Sequence, residues 1–171
     1  KRLGVVGYGR IARQVGVIGE AFGMHVLASG RPGTKAPDSS QVQWLSNEEL
    51  FAEAHIVSLH CPLTAKTKGM INAALLSRMR HDAFLVNTSR GGLVNEYDLA
   101  AALNNKQIAG AAVDVVSQEP ICADNPLLSA PNCLITPHMA WTSLAARQRL
   151  VQSTAQNIMA FLANRPENCV T

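Results

Sequence analysis

Short apolar runs alternate along the chain with stretches whose apolar residues recur every three or four positions. The runs at 3–6, 25–28, 56–59, 83–86, 108–113 and 134–136 predict strands. Each is apolar throughout rather than alternating, which points to strands covered on both faces, as in a parallel sheet. The β-α-β-α rhythm predicts an α/β fold built on a doubly wound parallel sheet with right-handed crossovers. After the first strand, Ile11, Val15, Ile18 and Phe22 recur at 4-3-4 spacing, and so do Ala12, Gly16, Gly19 and Gly23. The bulky stripe is expected in the core; the small one should let the helix backbone come close to a neighbour. Asn95 is a good N-cap for a helix carrying Leu99, Ala102 and Leu103 on one face. A last helix is predicted from 142 or 143 to 164, stopping before Pro166, with Val151, Ala155, Ile158 and Leu162 as its apolar face. At about 20 residues it would span roughly 30 Å, more than a crossover needs, so it is expected to reach another domain.

Composition narrows the class. Of 171 residues 47% are apolar and 5% aromatic, so Ala, Val, Ile and Leu must build the core. The net charge of +3 comes from scattered Lys and Arg residues, which is neither a nucleic-acid nor a membrane-surface footprint. No apolar run approaches the roughly 18 residues of a membrane span. The chain enters its first strand without a leader, and the expectation is a piece of a longer polypeptide. Cys61, Cys122, Cys133 and Cys169 form no C-x-x-C pair and read as free thiols of a cytoplasmic protein. No metal site is expected, since His60 and Cys61 lack further ligands at suitable spacing.

Gly7-Tyr8-Gly9-Arg10-Ile11-Ala12 is a G-x-G-x-x-A fingerprint between the first strand and the first helix. Gly7 permits the tight turn, Gly9 leaves room for a pyrophosphate, and Ala12 allows helix and strand to pack. Arg10 and Ile11 open the helix, whose free N–H groups and positive dipole end suit phosphates. A P-loop is excluded because no G-K-[ST] follows. The acid that commonly binds a ribose 2′-hydroxyl after the second strand is missing. The chain instead reads Ala28-Ser29-Gly30-Arg31, with Lys35 nearby and no acid before Asp38. Arg31 beside Ser29 could grip a 2′-phosphate, so NADP(H) is expected over NAD(H); the other reading of Arg31 is a solvated loop charge.

Three polar segments follow predicted strands: Val86-Asn87-Thr88-Ser89-Arg90-Gly91-Gly92, Asp114-Val115-Val116-Ser117-Gln118-Glu119-Pro120 and Thr136-Pro137-His138-Met139-Ala140-Trp141. With the glycine turn, this set resembles the D-isomer-specific 2-hydroxyacid dehydrogenase family over nearly the whole chain. Leu59-His60-Cys61-Pro62-Leu63-Thr64 and His138-Met139-Ala140-Trp141 look most like its glycerate dehydrogenase (hydroxypyruvate reductase) branch. The resemblance implies an oxidoreductase that uses NAD(P)(H) on a small 2-keto or D-2-hydroxy acid. In it Arg90 would hold the substrate carboxylate, His138 would be the acid and base, and Glu119 would orient His138 and favour its imidazolium form. Asp114 would lie at the nicotinamide end, while Cys61, Pro62, Thr67, Thr88, Ser89 and Ala140 would line the cofactor. Trp141 would either wall the substrate pocket or pack in the core. The implied division is a dinucleotide-binding domain at 1–142 and a helix and tail at 143–171 reaching towards a substrate domain otherwise absent. A homodimer is also implied. Two other readings stay open on the same scaffold: phosphite or formate oxidation, and a dinucleotide-sensing regulator like the corepressors related to this family.

Overall fold

The structure is a computed structural model and describes residues 1–30 and 42–169. The chain forms two compact units, Lys1–Pro137 and His138–Thr171. The first is built on seven strands: β1 (Arg2–Val6), β2 (His25–Ser29), β3 (Val42–Trp44), β4 (Ile56–Leu59), β5 (Phe84–Asn87), β6 (Gly110–Val113) and β7 (Cys133–Ile135). All pair in parallel, in the order β3-β2-β1-β4-β5-β6-β7. The chain therefore winds outwards in both directions from the β1/β4 junction, as the apolar runs foretell. β3 is the strand that the sequence pattern does not reveal. Its three residues, Val42-Gln43-Trp44, are too few to show a period.

Side chains alternate across the sheet, so β1 serves two cores. Leu3 and Val5 pack with Ala12, Val26 and Ala28 on one face. Val6 joins Leu27, Leu50, Phe51 and Leu59 in the larger core on the other. Helix α1 (Arg10–Ala21) covers the first face; α2 (Asn47–Glu53) and α4 (Glu96–Asn104) contribute buried residues to the second, as does the single turn α3 (Ala73–Leu76). Ser46 and Glu49 form a capping box at α2, each side chain bonding the other's backbone N–H. Asn95 caps α4 through the Asp98 N–H, and Leu99, Ala102 and Leu103 are buried as the spacing predicts.

Helix α1 corrects one expectation. Ala12, Gly16 and Gly19 face the sheet; of the bulky stripe Val15 packs in part against this core, whereas Ile11 is 72% exposed, Phe22 82%, and Ile18 is exposed too. The reason is distance: a Cβ on Gly19 would sit 2.7 Å from Leu3 Cδ2. The helix lies so close to β1 that the small stripe takes the inner side. Gly23 is not part of that contact. At φ +73 it terminates the helix, with its N–H donating to the Glu20 carbonyl and the Met24 N–H to the Gly19 carbonyl.

Among the described residues of the first unit, coverage on both faces is also incomplete. By register, Ile56, Phe84, Val86, Ala112 and Leu134 share the α1 face of the sheet. There Phe84 is 48% and Leu134 64% exposed. In the second unit, Ser143 caps α5 (Leu144–Leu162), which buries none of its residues; Val151, Ile158 and Leu162 are exposed. No helix of the described residues is long and apolar enough to cross a membrane.

Candidate functional site

A ligand site in an open parallel sheet forms beyond the carboxyl ends of the strands, where the strand order reverses. Here that place is the β1/β4 junction, since Val6 stands beside Leu59 and the next residues of both strands lead into loops. Gly7 turns the chain at φ +89. A Cβ there would lie 2.8 Å from the Cys61 backbone, so the two loops touch and glycine is required. Gly9 differs: its φ is −87 and a Cβ would meet nothing within 4 Å. The space beside it is open.

The start of α1 is suited to an anion. It has no side-chain cap and no acid in its first turn. By contrast, α2 carries Glu48 and Glu49 behind the Ser46 cap, and α4 carries Glu96 and Asp98 behind Asn95. Arg10 and Ile11, both exposed, open that uncapped turn. At the end of β2, Ser29 is buried and its hydroxyl has no hydrogen-bond partner among the described residues, although buried polar atoms are nearly always bonded. An open phosphate approach, a bare helix terminus and an orphaned hydroxyl together fit a dinucleotide lying across β1 and β2. Arg31, Lys35 and Asp38, on which the choice between NADP(H) and NAD(H) turns, lie outside the described residues.

From Cys61 the contacts run on without a break. The Ser89 hydroxyl donates to the Cys61 carbonyl at 2.8 Å. Asn87, buried at the end of β5, accepts from the Ser89 N–H at 3.0 Å and donates through Nδ2 to the Arg90 carbonyl at 3.0 Å. That closed turn projects Arg90, which is exposed and donates from a terminal nitrogen to the Ser89 carbonyl. Gly91, next in line, packs on the backbone of Val116 and Ser117, where a Cβ would come within 1.9 Å of the Val116 carbonyl carbon. The same segment carries Glu119, whose Oε1 accepts from the Val116 N–H at 3.3 Å. Asp114, buried at its start, accepts from the Thr136 hydroxyl. The glycine turn, Arg90 and the Glu119 segment thus belong to one contiguous rim.

Asn87 lies inside the segment that carries Arg90, but the sequence assigns it no role. A signal for it exists: an amide ending an apolar strand must find partners once buried, and here it shapes the turn before Arg90. Thr88 is exposed beside Ser89. Thr67 has its hydroxyl engaged with its own loop, donating to the Pro62 carbonyl at 2.7 Å and accepting from the Thr64 N–H at 2.8 Å. Burial pushes the Cys61 thiol up and the His60 imidazole down; His60 Nε2 bonds Ser58 Oγ at 2.9 Å.

His138 and Ala140 belong to the second unit. His138 is exposed and holds φ +52, an uncommon conformation for a residue with a side chain. Its carbonyl accepts from Trp141 Nε1 at 3.0 Å, and Thr142 bonds the Met139 carbonyl, which closes the turn leading to the Ser143 cap. Trp141 is exposed rather than packed in a core.

Known proteins share this sequence and fold. Residues 1–140 match the family described as D-isomer specific 2-hydroxyacid dehydrogenase, NAD binding domain. The chain is 41% identical over 170 residues to a hydroxypyruvate reductase of Blautia hydrogenotrophica, covering 99% of this chain and 53% of that protein. It is 41% identical over 170 residues to a glycerate dehydrogenase of Methylorubrum extorquens, covering 98% and 52%. It therefore spans about half the length of these relatives. Among solved structures, an acyclic imino acid reductase in complex with NADPH and D-Arg superposes with a TM-score of 0.90 at 33% identity, covering 100% of this chain and 54% of that one. A D-lactate dehydrogenase with NAD+ from Lactobacillus jensenii gives 0.91 at 29% identity, covering 100% and 55%. The sheet order, the glycine turn and these matches lead to one assignment: the chain belongs to the D-isomer specific 2-hydroxyacid dehydrogenase family and corresponds to its NAD-binding domain.

Proposed function

We propose that the protein carrying this chain reduces a small 2-keto acid to the D-2-hydroxy acid, and catalyses the reverse, with hydroxypyruvate or glyoxylate as the favoured keto acid. The observation that carries the reading is the unbroken rim from Gly7 through Cys61, Ser89 and Arg90 to the Glu119 segment. The hydroxypyruvate and glycerate named for the two relatives support the choice of substrate. A bound nicotinamide supplies or accepts the hydride.

The side chains supply the rest. Arg90 holds the substrate carboxylate with a planar, permanently charged fork, which fixes the carbon to be reduced. His138 gives its proton to the carbonyl oxygen in reduction and takes it back in oxidation. Glu119 holds the imidazole orientation. Gly7, Gly9, Arg10 and Ile11 seat the pyrophosphate. Ser29 and Arg31 contact the adenosine ribose, where the missing acid favours NADP(H). Cys61, Pro62, Thr67, Thr88, Ser89, Asp114 and Ala140 border the remaining cofactor surface. The reading extends to a cytoplasmic homodimer, supported by the cysteines without C-x-x-C spacing and by the family's habit.

The test is loss of reduced-nicotinamide absorbance on adding hydroxypyruvate to the full-length protein, with NADPH and NADH compared. His138→Asn should lose about a hundredfold or more in kcat while its cofactor Kd stays within about twofold. Unchanged kcat in that variant removes His138 from the proton-transfer role. A clear preference for NADH discards the Arg31 reading. Cofactor binding without turnover of any 2-keto acid favours the sensing regulator.

A further inference from the structure

Glu96 opens α4 just behind the Asn95 cap, yet its carboxylate is directed at another segment. Its Oε1 accepts from the Ser117 N–H at 2.6 Å. Its Oε2 accepts from the Ser117 hydroxyl at 2.8 Å and from Asn125 Nδ2 at 2.9 Å. Three donors on one anion form a strong charge-assisted clamp. Asn125 is itself fixed, since its Oδ1 accepts from the Leu127 N–H at 3.0 Å and starts the 3-10 turn Pro126–Leu128. Glu96 therefore pins residues 117 and 125, the two sides of the loop that contains Glu119.

The clamp presses in a definite direction. The backbone it grips at Ser117 is the backbone that leaves no room for a side chain on Gly91. Glu96 and the missing Cβ of Gly91 thus fix one contact from its two ends: the Glu119 segment against the turn that carries Arg90. Glu119 Oε1 lies on the same stretch, bonded to the Val116 N–H. A carboxylate at the first position of a helix also interacts well with the helix dipole, a purely structural role that alters stability alone.

We infer that Glu96 is a positioning residue for the reaction: it sets the placement of Glu119 relative to Arg90 from the start of α4. The inference rests on the proposed pairing of Glu119 with His138. Removing Glu96 frees the loop, so Glu119 no longer holds the imidazole in the orientation that proton transfer requires. Reduction, which needs that transfer, then slows.

The experiment measures kcat and cofactor KM for hydroxypyruvate reduction by the full-length protein. It compares the unmodified protein with Glu96→Ala, Glu96→Gln, Glu119→Gln and the double variant Glu96→Ala with Glu119→Gln. Glu96→Ala should lower kcat about tenfold, with cofactor KM within about twofold. Glu96→Gln keeps one acceptor oxygen and should recover part of that loss. In the Glu119→Gln background, Glu96→Ala should add nothing, because the two side chains act as a unit. An unchanged kcat in both Glu96 variants, or effects that multiply in the double variant, overturns the inference and leaves a structural cap. The Glu119→Gln variant reports on the parent reading by itself: an unchanged kcat there overturns the Glu119–His138 pairing and the role of Glu96 with it.

Discussion

The two glycines of the fingerprint serve different ends. Gly7 is demanded by the protein itself, being left-handed and pressed on Cys61. Gly9 has an ordinary φ and open space around it, so folding places no demand on its lack of a side chain. Gly7→Ala should therefore destabilise the fold by at least about 1–2 kcal/mol, the usual cost of a left-handed L-residue. Gly9→Ala should change the urea midpoint by no more than the equivalent of about 1 kcal/mol. It should nevertheless weaken dinucleotide binding about tenfold or more, measured by titration of the full-length protein. Equal dinucleotide affinity in Gly9→Ala would overturn the phosphate approach assigned to this turn. The roles of Asn87 and Glu96 are not marked in one dimension. Each looks like an ordinary polar residue until the fold shows which backbone groups it reaches.

At the scale of elements, the sequence pattern located most strands and helices, and capping chemistry explains their ends. The capping box of Ser46 and Glu49 fixes the start of α2, a helix that the apolar periodicity does not announce. The two stripes of α1 were legible as well, but which of them faces inwards was not. Periodicity tells that two faces differ; the sheet's proximity decides that glycine rather than isoleucine meets it. The consequence is testable within the small stripe. A Cβ at Gly16 would make ordinary contact with Val26 Cγ1 at 3.5 Å, whereas at Gly19 it would collide with Leu3. Gly16→Ala should raise stability by about 0.5–1 kcal/mol through helix propensity and a less flexible unfolded chain. Gly19→Ala should forfeit that gain. Urea midpoints of the two variants against the parent decide it, and an equal gain in both would mean that α1 does not lie this close to β1.

At the scale of the whole molecule, several ionisable groups make the folded chain sensitive to acid. Burial lowers the pKa of His60, so the unfolded chain takes up its proton first. Its contribution to stability is present above the unfolded value of about 6.5 and is lost as pH falls from there towards the folded value. Hydrogen bonds from the Ser46 backbone and hydroxyl lower Glu49, and the bond from Arg80 lowers Asp82. Those contributions are present above the ordinary carboxylate range and disappear below it. Stability should thus decline in two stages on acidification. His60→Gln should flatten the first stage in urea titrations between about pH 7 and pH 5. A decline as steep as the parent's would assign that stage to other groups.

The sequence alone determined the α/β class, the turn at Gly7–Gly9 and the family, because these depend on local spacing and on short motifs that survive in one dimension. Only the tertiary structure decided which residues far apart along the chain become neighbours. The meeting of Gly7 with Cys61, of Gly91 with Val116, and the shared face of Phe84, Val86, Ala112 and Leu134 are products of strand order and register. No local pattern encodes them. A side chain's period records how apolar it is, whereas its partners are set by the strands and helices that the sheet brings alongside.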